Sequence, residues 1–219
     1  MRPALVPQSS NRIELLTAVT VLEIDTPQGP AKAHLHVAAE PIAGMVLGHG
    51  AAGGVTTPDL VAVTGVARSA GFSVALVEQP YRVAGRRSPA PAHRLDEAWT
   101  AVVEHLRGNE LRGLPLIVGG RSAGARVACR TAANSGAVAV LCLAFPLHPP
   151  ARPAKTRQPE LDAVQVPTLV VQGARDPFGM PAGSATCDVV TVPGNHSLKT
   201  DVEAVATAVR DWLPRITAD

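Results

Sequence analysis

Leu116-Ile117-Val118-Gly119-Gly120-Arg121-Ser122-Ala123-Gly124 joins a short apolar run to a serine with glycine two residues to either side. The Ala-rich segment 123–133 follows, so the serine sits at a strand-to-helix turn. A nucleophile on such a turn needs small neighbours, because the backbone must reverse sharply beneath it. The amides at the start of the next helix are then aimed at the oxygen that becomes charged during acyl transfer. A chance G-x-S-x-G is common in a chain with 19 glycines. The strand, turn and helix around this one make Ser122 a candidate nucleophile.

Upstream, residues 19–24 and 33–38 flank Thr26-Pro27-Gln28-Gly29-Pro30 and read as a hairpin. Apolar strands are expected at 44–47, 72–77, 116–118, 137–143, 168–172 and 188–192. Helices are expected at 59–70, 94–106, 123–133 and 202–213. In the second helix Leu95, Ala98, Trp99, Val102, Val103 and Leu106 recur at helical spacing. Such alternation predicts an α/β fold with a mainly parallel sheet, helices on both faces and an N-terminal antiparallel hairpin. With 219 residues the chain is expected to form one domain, residues 1–12 being a loose lead-in.

In a sheet of this kind the chemistry gathers beyond the carboxyl ends of the strands. Gly173-Ala174-Arg175-Asp176-Pro177 follows one strand, and Pro193-Gly194-Asn195-His196-Ser197 follows the last. Alone, Asp176 is a turn aspartate before proline, and His196 is a loop histidine beside a helix cap at Ser197 or Thr200. Together, Ser122, Asp176 and His196 stand in the order nucleophile, acid, base on successive strand ends. Gly48-His49-Gly50-Ala51-Ala52-Gly53-Gly54 also matches a dinucleotide-binding loop, with Glu78 near the position of a ribose-binding acid. That fingerprint normally opens its domain, whereas a hairpin precedes this one. The loop serves equally as a second source of oxyanion donors, so the amides of Ala51 and Ala123 are assigned to an oxyanion hole.

Other classes find less support. A net charge of +2 and 3% aromatic residues argue against nucleic-acid binding. Cys129, Cys142 and Cys187 are odd in number and lie in apolar stretches, as reduced cytoplasmic thiols do. No signal peptide or membrane span is read. His34 and His36 share a strand face without a third ligand, so no metal and no cofactor are expected. Arg82, Arg86, Arg87, Arg121, Arg152, Lys155 and Arg157 fall in strand-end loops. Solvated loop charge explains them; convergence on an anionic substrate is the alternative.

The chain resembles the α/β-hydrolase superfamily, in its compact dienelactone-hydrolase-like branch. More narrowly it is similar to the group of the KAT-NSL chromatin-complex subunit and its testis-expressed homologues. The segments that carry this are Leu47-Gly48-His49-Gly50-Ala51, Gln79-Pro80-Tyr81-Arg82-Val83-Ala84-Gly85, Gly119-Gly120-Arg121-Ser122-Ala123-Gly124, Phe145-Pro146-Leu147-His148-Pro149-Pro150 and Gln172-Gly173-Ala174-Arg175-Asp176-Pro177-Phe178-Gly179. The resemblance implies Ser122 as nucleophile, Asp176 as acid and His196 as base. His49, Arg82, Arg121 and His148 are taken as candidate substrate contacts. A serine esterase acting on a small soluble acyl substrate is expected, with no lid domain, since residues 145–166 are short and Pro-rich. The alternative is a binding or assembly module on the same scaffold, with a protein partner.

Overall fold

The computed structural model describes residues 19–152 and 154–217. The expected lead-in, 1–12, lies outside them. Eight strands form one sheet: β1 (Val19–Ile24), β2 (Ala31–His36), β3 (Ala43–Gly48), β4 (Phe72–Glu78), β5 (Leu116–Arg121), β6 (Ala139–Leu143), β7 (Thr168–Gly173) and β8 (Cys187–Val192). Their order across the sheet is β1-β2-β4-β3-β5-β6-β7-β8. The pairs β1·β2 and β2·β4 are antiparallel, and every other pair is parallel. Principal helices are α1 (Pro58–Ser69), α3 (Ala92–Gly108), α4 (Ala123–Ser135) and α6 (Val202–Trp212); short ones are α2 (Pro80–Val83), α5 (Gln158–Asp162) and α7 (Pro214–Thr217).

The central strands β3 to β7 were readable because both their faces are buried. Along β5, Leu116 and Val118 point into one core, with Trp99 of α3 and Ala128 of α4. Ile117 points into the other, with Leu60 of α1 and Val209 of α6. β7 divides likewise, Val170 facing the first core and Leu169 and Val171 the second. The period of two along the central strands therefore fills both layers, as a sheet covered on both faces requires.

The hairpin differs from expectation in its second strand, which runs Ala31–His36 rather than 33–38. Its turn closes early: Gly29 N donates to Thr26 O at 3.1 Å and Thr26 Oγ1 to Gly29 O at 2.6 Å. This sets Ile24 opposite Ala31. Ala38 leaves the ladder, its amide donating to Ser73 Oγ at 3.1 Å. The three short helices were not expected. Each contains proline in its first turn, where the missing N–H costs nothing.

The chain reverses its direction of travel across the sheet between β3 and β5, β4 lying on one side of β3 and β5 on the other. Gly48 and Gly120 are register partners there. The loop after β3 and the turn after β5 thus leave the sheet side by side, at the position where such folds bind ligands. Among the described residues no helix is long and apolar enough to cross a membrane.

Candidate active site

Ser122 links β5 to α4 with φ 53° and ψ −108°. A non-glycine residue with positive φ is strained by about 1–3 kcal/mol and persists only where its surroundings enforce it. The enforcement is visible here. Ser122 N donates to Leu143 O at the end of β6, 2.8 Å away. A Cβ at Gly120 or at Gly124 would lie far closer to Gly48 O than van der Waals contact allows. α4 therefore starts against β3 at a distance that only glycine allows. Ala123 is the first residue of α4, so its amide is an orphan donor of the helix N-terminus.

Asp176 and His196 arrive from the loops after β7 and β8. Gly173 N-terminal to the acid lets these loops cross, since a Cβ there would meet Asn195 O at 2.5 Å. Arg175 N donates to Gly194 O at 2.8 Å and pins the crossing. His196 Nδ1 lies 2.8 Å from Asp176 Oδ2, and His196 Nε2 lies 2.8 Å from Ser122 Oγ. The Asp176 side chain is fully buried, while that of His196 is 17% exposed. Phe178 stands edge-on to the imidazole, ring centroids 4.5 Å apart. The three residues picked from the sequence are thus one hydrogen-bonded chain. Such a chain can draw a proton from the serine and stabilise the imidazolium that results.

Two supports were not foreseen. Gln172, fully buried at the end of β7, donates from Nε2 to Asp176 Oδ2 at 2.9 Å, and the same nitrogen reaches Phe145 O and Gly179 O. Phe178 N donates to Asp176 Oδ1 at 2.9 Å. Both carboxylate oxygens are therefore fixed by N–H donors besides the histidine. The second support is Asp59, fully buried at the start of α1, whose Oδ2 is 2.9 Å from Arg121 Nε. Arg121 Nη2 in turn donates to His196 O at 2.9 Å. A glutamine closing an otherwise apolar strand and an aspartate after Pro58 were the signals available. Neither reveals its partner without the fold.

A cleft of about 550 Å³ opens at Ser122 and is lined by His196, Ala51, Ala52, Ala123, Arg121 and Phe178, with Pro89, Ala90, Ala92, Leu95, Pro146 and Pro150. Arg126 and Arg130 of α4 and Arg157 complete it. Ala51 and Ala123, the expected oxyanion donors, thus border the nucleophile from the two adjoining strand ends. Tyr81 Oη donates to Ala51 O at 3.2 Å and steadies that loop.

The expected substrate contacts are placed differently. His49 is buried: its Nδ1 is 2.7 Å from Gly50 O, and its Nε2 accepts from Gln79 N at 3.2 Å. It braces the loop and has no nitrogen left for a ligand. His148 packs on Gly179, with Nδ1 3.1 Å from Lys155 O, and does not line the cleft. Arg82 also lies outside the lining. Arg121 reaches the cleft, yet its guanidinium is held by Asp59 and the His196 carbonyl, which makes it a positioning residue. The glycine loop runs from 49 to 57 before α1 starts at Pro58, so no helix opens at its glycines as a dinucleotide site requires. Glu78 pairs with His34 at 3.0 Å.

Burial, opposed by the Gly50 carbonyl, holds His49 below the ordinary imidazole range. The folded state then binds this proton less readily than the unfolded chain. Stability is present above the unfolded value of about 6.5 and is lost as pH falls below it, by up to about 1.4 kcal/mol per pH unit. Melting temperatures taken from about pH 8 to 5 should drop across that window. His49→Gln should melt lower at neutral pH and show a shallower decline.

A strained serine on a strand-to-helix turn, bonded to a histidine and a buried aspartate from the next strand ends, defines a triad site on a doubly covered sheet. The chain belongs to the α/β hydrolase family: the model of the alpha/beta hydrolase domain matches residues 41–213. Among solved structures it is similar to XC6422 from Xanthomonas campestris, an α/β serine hydrolase without lid, at 19% identity and TM-score 0.76, over 91% of this chain and 95% of that one. Est1E from Butyrivibrio proteoclasticus matches at 17% identity and TM-score 0.76, over 92% of this chain and 100% of that one. Dienelactone hydrolase from Anabaena variabilis matches at 17% identity and TM-score 0.73, over 90% and 97%.

Proposed function

We propose that the protein is a serine hydrolase that cleaves small soluble esters or related acyl compounds through an acyl-enzyme. The unbroken chain Asp176–His196–Ser122, with both links at 2.8 Å, carries this reading. His196 takes the Ser122 proton as Oγ attacks the carbonyl, then returns it to the leaving group. Water repeats the cycle on the acyl-serine. The amides of Ala123 and Ala51 receive the oxyanion, each such donor being worth about 3–4 kcal/mol of barrier.

The cleft has the size of a small-molecule site. Among the described residues only the short α5 with its flanking turns stands between β6 and β7, which supports an open entrance and favours short substrates over long-chain lipids. Three free, buried cysteines fit a reducing compartment such as the cytoplasm. Leu147-His148-Pro149-Pro150 and Arg175-Asp176-Pro177-Phe178-Gly179 support placing the chain near the KAT-NSL-subunit and testis-expressed-like group.

A fluorophosphonate probe should label the folded protein at Ser122, read by intact mass and peptide mapping. Absence of labelling on folded protein would favour a binding module on the same scaffold.

A further inference from the structure

One wall of the cleft carries more positive charge than its partners cancel. Arg126 makes a two-pronged pair with Glu160, Nε to Oε2 at 2.8 Å and Nη2 to Oε1 at 2.5 Å. Arg130 pairs in the same way with Asp96, Nε to Oδ2 at 2.8 Å, and also reaches Glu160 at 3.4 Å. These four side chains are each only about a fifth exposed. Arg157 stands beside them in the cleft lining and makes no ion pair among the described residues. Three guanidiniums therefore face two carboxylates, with one positive charge in excess.

Arg157 is also held in place. Its Nη1 donates to Pro146 O at 2.9 Å and to His148 O at 3.3 Å, and its own amide donates to Leu147 O at 2.8 Å. Nη1 is thereby spent on the backbone, which leaves Nε and Nη2 as a donor pair. That pair matches the two oxygens of a carboxylate. Burial and the neighbouring Arg126 push its pKa below the ordinary arginine range, yet a guanidinium stays charged in a protein. An anion at this wall would relieve the excess.

Resting on the serine-hydrolase reading, we propose that the cleft selects esters bearing a carboxylate and that Arg157 is the residue that binds it. Apolar contacts from Pro89, Ala90 and Leu95 complement this for a short carbon skeleton between carboxylate and ester.

Two matched pairs of esters test the proposal. One pair is the p-nitrophenyl half-ester of glutaric acid and its neutral methyl ester. The other is 4-acetoxybenzoate and its methyl ester, which moves the charge to the leaving side. Wild type should favour the charged member of at least one pair in kcat/KM. Arg157→Gln should lower that ratio roughly 10–100-fold, as expected for one hydrogen-bonded charge, and Arg157→Lys should retain part of it. A wild-type ratio near unity in both pairs, or an unchanged ratio in folded Arg157→Gln, overturns the proposal. Should the variant not fold, glutarate must inhibit wild type competitively where glutaramide does not; equal or absent inhibition overturns it as well. Fluorophosphonate labelling separates the two levels: a labelled enzyme without charge preference sinks only the carboxylate site, whereas an unlabelled protein sinks the hydrolase reading beneath it.

Discussion

Ser122→Ala should lower kcat by roughly 10⁵–10⁶-fold, the scale seen when a triad nucleophile is removed. The substitution deletes one oxygen and leaves the turn alone. Alanine carries the same Cβ as serine and meets the same strain at φ 53°, so the backbone cost does not change. The amide bond to Leu143 O and the approach of α4 to β3 persist, because neither uses the side chain. Only the bond to His196 Nε2 is lost, at about 1 kcal/mol or less of stability. Single-turnover kinetics on an activated ester and a thermal melt measure the two quantities together. A folded variant that keeps a large part of its rate would place the nucleophile elsewhere.

Asp176→Asn should be nearly as damaging, with kcat down by about 10⁴-fold, as a wrong histidine tautomer costs in triads generally. The reason lies in the donors around the carboxylate. Oδ1 accepts from Phe178 N, and Oδ2 accepts from Gln172 Nε2 beside His196 Nδ1. An asparagine must set its NH₂ group against one of these N–H donors. Turned towards Phe178, it loses the bond that shapes the loop. Turned towards Gln172 and His196, it meets a donor and forces the imidazole to carry its proton on Nε2, where Ser122 needs a base. The cost should appear in kcat/KM with little change in the binding of a product-like inhibitor. Glutamine at 172 thus makes the acid position stricter than the histidine alone would.

The strands and the order of the three site residues could be read in advance because each leaves a local mark. Mainly apolar runs of three to seven residues mark β3 to β8, and glycines mark the turns at Gly120, Gly173 and Gly194. Fold order then links Ser122, Asp176 and His196 without any distance being known. What stayed hidden depends on packing between elements far apart in sequence. Arg126 and Glu160 are 34 residues apart, and Arg121 and His196 are 75 apart. α4 must lie against α3 and α5 before its arginines find Asp96 and Glu160, and helical period says nothing about that. Arg121 illustrates the limit best. Next to the nucleophile it looked like a substrate contact, yet a buried aspartate on α1 claims it. Arg157, read as one charge among seven in loops, turned out to stand in the cleft.

The glycines that let α4 rest on β3 also bear on how this gene can drift. A glycine codon is one base away from alanine, valine, serine, cysteine, arginine, aspartate, glutamate or tryptophan codons, and every one of those residues has a β-carbon. At Gly119, Gly120 and Gly124 that first carbon lands on a backbone carbonyl, Leu141 O for the first and Gly48 O for the other two. Backbone cannot swing aside as the end of a side chain can. No missense step at these positions is therefore mild, whereas at Gly54 or Gly65, where the same atom meets open space, substitutions can accumulate unnoticed. Genetic tolerance in this protein is set glycine by glycine, by whether a carbonyl waits where the new carbon would go.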